Sequence, residues 1–124
     1  MNHFHYKIPG WFTFPRLYST MVDRFPSGAH FVEVGTWQGS SAAYMAVEII
    51  NSGKNIKFDC IDIWGRYSID GLNTKNPELL PDDTVEQLFL QNIKSGELYF
   101  KAVVPVSYDT PKVTNHLIHS KASK

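Results

Sequence analysis

The sequence has little that would announce a specialised class. It holds a single cysteine, Cys60, so no disulfide can form within one copy, and a reducing cytoplasm is the expected compartment. Neither charge sign is in excess: twelve basic side chains face twelve acidic ones. A nucleic-acid binder usually carries a basic surplus, so no nucleic-acid partner is expected. No apolar run approaches the roughly 18 residues of a membrane span, so no membrane partner is expected either. The opening MNHFHYKIPG lacks the apolar centre of a signal peptide. There is no internal repeat, no low-complexity tract, and no Ser-His-Asp or Cys-His arrangement suited to nucleophilic catalysis. What remains is an ordinary globular balance, 43% hydrophobic and 19% charged, in a 124-residue chain long enough for one domain.

The present features start with aromatics and prolines. Pro9-Gly10 reads as a turn, and Pro15 suits the first turn of a helix, where no backbone N–H is lost. Leu17, Met21 and Phe25 then recur every four residues, predicting a helix over 16–25 that Pro26-Ser27-Gly28 stops. The run 29–34, with Phe31, Val32 and Val34, favours a strand. A largely apolar helix follows from Ser40 or Ser41, with a serine as N-cap, and Asn51-Ser52-Gly53 closes it. Residues 56–63 form a second strand. Strand, glycine turn, helix and strand make one βαβ unit, which crosses over right-handed into a parallel sheet. Residues 65–81 read as loop, and Tyr67 within it is a candidate for touching substrate. Asp82-Asp83 opens a third helix with the stripe Val85, Leu88, Phe89 and Ile93. Residues 98–106 and 113–118 read as strands, or as a short helix and a strand.

The segment with chemical content is Phe31-Val32-Glu33-Val34-Gly35-Thr36-Trp37-Gln38-Gly39-Ser40-Ser41. A glycine turn between a strand and a helix points the helix's first N–H groups at whatever lies above the strand's carboxyl end. Gly35 permits a tight turn, and Gly39 lets the helix start lie near a ligand. Glu33 stands two residues before the turn, and Asp62 ends the next strand, where a carboxylate can accept both hydroxyls of a ribose. In a dinucleotide fingerprint the outer glycines lie five apart. Here they lie four apart, with bulky Trp37 between them, so an NAD-binding oxidoreductase is disfavoured. S-adenosylmethionine lacks a phosphate, and its ammonium suits an acid such as Glu33.

The pattern Glu-x-Gly-x-x-x-Gly-Ser-Ser, with Cys60-Ile61-Asp62-Ile63-Trp64 ending the second strand, resembles class I S-adenosylmethionine-dependent methyltransferases. Within them it is most similar to methyltransferase family 24. The resemblance implies an α/β fold, a Rossmann-like parallel sheet with flanking helices, here truncated after the third strand. Residues 1–28 would form an aromatic-rich helical lead-in, and 29–124 the N-terminal half of the methyltransferase domain. The implied cofactor is S-adenosyl-L-methionine, held by Glu33, Gly35, Thr36, Trp37, Gly39, Ser40, Ser41, Asp62, Ile63 and Trp64. In that assignment Asp62 takes the ribose, Ile63 and Trp64 lie beside adenine, and Glu33 lies near the amino-acid end. The implied reaction moves a methyl group to a small acceptor, such as a sugar or another hydroxylated molecule, and no catalytic residue is assigned. Trp37 departs from the family's middle glycine, which bears on the path of the turn. A truncated sheet would also expose an apolar strand edge, through which the chain could self-associate. A catalytically inactive binding or assembly module is the alternative. The pairs His3/His5 and His116/His119 lack a further ligand at metal-binding spacing, so no metal is assigned. Trp11 is read as packing in a core or dimer, or as a lid, and Asp59 as a solvent-facing or edge residue.

Overall fold

The computed structural model describes residues 1–62, 84–95 and 105–107. A short 3-10 turn at His5–Lys7 leads to helix α1 (Pro15–Arg24), strand β1 (His30–Val34), helix α2 (Ser40–Ser52) and strand β2 (Lys57–Asp62). Helix α3 (Thr84–Ser95) and strand β3 (Pro105–Ser107) follow.

Each of the first two helices is bounded by local chemistry. Pro15 opens α1 at its first turn, and Phe25 leaves helical geometry just before Pro26. The Lys54 ammonium donates to the carbonyls of Val22, Asp23 and Phe25, at 2.6, 3.0 and 3.0 Å, satisfying acceptors that a helix end leaves bare. Helix α2 ends as expected: Gly53 is left-handed and its N–H donates to the Ile50 carbonyl. Its start differs from the serine cap expected. Gly39, at φ 99°, is the N-cap, and the Ser40 and Ser41 hydroxyls bond elsewhere.

The three strands are parallel in the order β1-β2-β3, with His30 opposite Lys57, Phe31 opposite Phe58, and Cys60 opposite Pro105. Right-handed crossovers, the rule for parallel strands, would place α2 and α3 on the same face of the sheet, and residues of both helices share one core cluster with Phe58 and Cys60 of β2. On that face Ala42, Ala43, Ala46, Val47, Phe58, Cys60, Phe89 and Ile93 are fully buried, together with Val22 of α1 and Val85 of α3. The small residues of α2 let it approach closely, and each large apolar side chain contributes about 1.5–3 kcal/mol by burial. The opposite face carries His30, Val32 and Val34 of β1. Val32 is 52% and Val34 70% exposed, and no helix among the described residues covers them.

One surface reading changes. Asp59 lies on the central strand with its side chain mostly covered, 2.6 Å from His30 Nε2 and 3.5 Å from Lys57 Nζ. It is an interior-strand partner for two basic side chains of the sheet face, because β3 occupies the far side of β2. The first residues are docked on α2. His3 stacks on Tyr44 at 4.2 Å and meets Glu48 at 2.7 Å, while Met1 and Asn51 exchange two hydrogen bonds. Tyr67, the Asp82-Asp83 opening, residues 113–118 and the pair His116/His119 lie outside the described residues. So does most of 98–106, of which the strand Pro105–Ser107 takes in only the end.

Candidate functional site

The glycine turn sits at the carboxyl end of β1, and three of its residues have left-handed backbones at alternate positions: Gly35 (φ 82°), Trp37 (φ 49°) and Gly39 (φ 99°). Trp37 therefore takes a left-handed backbone that favours glycine, a conformation that costs a bulky residue of the order of 1–2 kcal/mol. Two hydrogen bonds hold the turn against β2. The Gly35 N–H donates to the Ile61 carbonyl at 2.7 Å, extending the ladder one residue past β1. The Trp37 N–H donates to Asp62 Oδ2 at 2.7 Å. A carboxylate accepting from a backbone N–H makes one of the stronger hydrogen bonds, and it offsets the strain at Trp37.

The two glycines do different work. Around the missing Cβ of Gly35 no described atom lies within 4 Å, so the backbone there is open to approach. At Gly39 a Cβ would sit 2.9 Å from Phe89 Cδ2 and 3.2 Å from its Cε2. Gly39 therefore serves close packing of α3. Asn92 of α3 fastens the same contact by donating to the Gln38 carbonyl at 3.0 Å.

Glu33 is buried, 7% exposed, and receives three hydroxyl donors. Thr36 Oγ1 at 2.6 Å and Ser41 Oγ at 2.9 Å reach its Oε1, and the Tyr18 hydroxyl at 2.6 Å reaches its Oε2. Burial pushes the Glu33 carboxyl up, and the three hydroxyls partly oppose the shift by stabilising the charged form. Burial, then the adjoining Glu33 charge, likewise raises the Tyr18 phenol. Thus Glu33, Thr36 and Ser41 form a closed network that ties β1, the turn and the first turn of α2 to α1. Ser40 faces the lead-in instead, donating to the His5 carbonyl at 3.0 Å. Gly10 packs on the Ser40 Cβ, which lays the Pro9-Gly10-Trp11 segment across the start of α2. Trp11 is 82% exposed, so it is not a core residue, and its ring lies 6.4 Å from that of Trp37.

The structure thus brings Gly35, Thr36, Trp37 and Asp62 together at the carboxyl ends of β1 and β2, with Glu33 and Ser41 beneath. Ile63 and Trp64 lie outside the described residues. Tyr18 is the participant that sequence reasoning missed. It stands next to the Leu17/Met21/Phe25 stripe, and nothing in its spacing links it to Glu33, fifteen residues on. A cavity of about 570 Å³ runs beside the edge of β1 that no described strand pairs, lined by Leu17, Met21, Phe25 and Phe58, with Tyr18 and Glu33 also on its wall. It includes neither glycine of the turn nor Asp62. Among the described residues no cluster of three or more His, Cys, Asp or Glu side chains could hold a metal, and no helix is long and apolar enough to cross a membrane.

The chain matches no protein-family model and no curated protein.

Proposed function

We propose that the chain is the cofactor-binding portion of a class I, Rossmann-like methyltransferase. S-adenosylmethionine would lie over the carboxyl ends of β1 and β2, and a small hydroxylated molecule would accept the methyl group. The observation that carries this reading is the Asp62–Trp37 bond. It joins an acid at the end of the central strand to a left-handed turn whose first glycine is open to a ligand. The parallel order β1-β2-β3 supports this reading, because one half of a doubly wound sheet would have strands stepping in one direction in this way.

The residues present suit that cofactor in part. Gly35 leaves room for close approach, and Asp62 offers a carboxylate to ribose hydroxyls. Glu33 is enclosed by three hydroxyls, so its contribution is to hold Thr36 and Ser41 in place beneath the turn. When bound, the cofactor supplies an electrophilic methyl group on a sulfonium. The protein's part is to align that methyl with the acceptor. One observation favours a second reading, a module that binds without turnover. The cavity beside β1 includes neither glycine of the turn nor Asp62, so it offers no acceptor site against the turn.

Calorimetric titration of the chain with S-adenosylhomocysteine, beside Asp62→Ala, tests the cofactor site. Binding that Asp62→Ala weakens at least tenfold, about 1.4 kcal/mol, is expected. No binding by a chain that circular dichroism shows to be folded would overturn the reading. Methyl transfer to a panel of hydroxylated acceptors separates the enzyme from the silent module.

A further inference from the structure

We propose that residues 1–12 form an acid-released strap beside the glycine turn, and that protonation of His5 is what lets it go. This inference does not depend on what the turn binds. The strap runs back along α2, against the direction of the helix. Met1 and Asn51 exchange hydrogen bonds near the end of α2, and His3 meets Glu48 and Tyr44 one turn earlier. The His5 carbonyl takes the Ser40 hydroxyl at 3.0 Å, at the start of the helix. Beyond it, a Cβ at Gly10 would lie 3.4 Å from Ser40 Cβ and 4.0 Å from Trp37 Cδ1, and the Trp11 ring lies 6.4 Å from that of Trp37. The strap therefore ends on the Trp37 side of the turn.

His5 is the fastening in the middle. Its carbonyl also accepts from the N–H of Ile8, a buried core residue, at 3.0 Å. Its ring stands nearly perpendicular to those of Tyr44, Phe12 and Tyr6, at 5.0, 5.7 and 5.9 Å, and to that of His3 at 5.6 Å. The titratable groups facing it among the described residues are thus His3 and Tyr6 of the strap and Tyr44 of α2. The nearby carboxylate, Glu48, is taken by His3 Nε2 at 2.7 Å. His5 Nδ1 is buried with no hydrogen-bond partner. A neutral imidazole can leave that nitrogen bare, with its proton on Nε2, whereas imidazolium carries an N–H at both. Protonation would therefore bury a donor without an acceptor and set a cation beside His3. Burial, then the neighbouring His3, accordingly holds the His5 imidazole below its ordinary value of 6.5. A base depressed in the docked form takes up protons on release. Docking is thus fully favoured above that ordinary value and weakens as pH falls through it towards the lowered one. Release would free the Ser40 hydroxyl and carry Trp11 away from Trp37, uncovering that side of the turn in acid.

NMR of the whole chain, titrated from about pH 8 to about pH 5, spans this window. The His5 ring should titrate below the ordinary histidine range. Proton–proton contacts of His5 with Tyr44, and of Trp11 with Trp37, should fade with the same midpoint. Protection of the Ile8 amide against hydrogen exchange should fall about fivefold or more over that range, while that of the Phe58 amide holds. His5→Phe keeps a ring among Tyr44, Phe12 and Tyr6 but removes the base, so its Ile8 protection should not change with pH. If that variant does not fold, the wild-type titration decides alone. Ring contacts that persist while His5 titrates would overturn the proposal, as would a His5 midpoint at or above the ordinary value. So would an equal loss of Ile8 protection in His5→Phe, or a parallel loss at Phe58, which would mean general unfolding.

Discussion

Replacing Gly39 by alanine separates two forces that a glycine count cannot. A Cβ at Gly39 meets Phe89 at 2.9 and 3.2 Å and Ile93 at 3.5 Å, and the backbone there has φ 99°. Left-handed geometry costs an alanine about 1–2 kcal/mol. Forcing the fully buried Phe89 aside adds about 1–3 kcal/mol of overpacking. Gly35→Ala is the control, because φ is 82° but no described atom lies within 4 Å of the added carbon. It should therefore show the backbone cost alone, about 1–2 kcal/mol. Urea unfolding followed by far-UV circular dichroism measures both, provided the slope with denaturant is unchanged. A third variant, Phe89→Leu, removes ring atoms from the contact. On its own it destabilises by leaving a cavity, but combined with Gly39→Ala it should recover about 0.5–3 kcal/mol relative to the sum of the single changes. The reasoning fails if Gly39→Ala costs no more than Gly35→Ala, or if the Gly39 and Phe89 changes simply add. Either result would mean that α3 does not press on the start of α2.

Two further outcomes follow from the buried groups. The Glu33 carboxyl is raised in the folded chain, so its contribution to stability is fully present below the ordinary carboxyl range and is lost as pH rises through the raised value. Glu33→Gln removes that dependence. Its melting temperature should therefore gain on wild type as pH rises through that window, whereas a constant gap would refute the burial argument. Cys60 is fully buried, and burial, then the Glu33 charge, pushes its thiol well up. Reaction with an aromatic disulfide reagent should be about a thousandfold or more slower in the folded chain than in denaturant, since it must wait for opening. Rapid labelling of the native chain would contradict the packing around β2.

Much of the local architecture was legible in the residue order. Leu17, Met21 and Phe25 announced α1 by their spacing, Pro15 and Gly53 marked helix ends, and Asp62 was placed at the end of the second strand. These features depend on backbone sterics and on contacts a few residues apart, which the order of residues states directly. Other outcomes depended on groups far apart in the chain. Trp37 could take a glycine's conformation because Asp62, twenty-five residues on, accepts its N–H. Ser40 and Ser41 fit an N-cap by local rules, yet His5 and Glu33 offered them partners in the folded chain. The close approach of Phe89 to Gly39, fifty residues apart, is stated by no local rule. The closed network of Tyr18, Glu33, Thr36 and Ser41 exists only once α1 packs beside β1. Hydrogen-bond donors and close-packed volumes are shared across the whole molecule, so which residue receives each of them is decided by tertiary packing and not by neighbours in sequence.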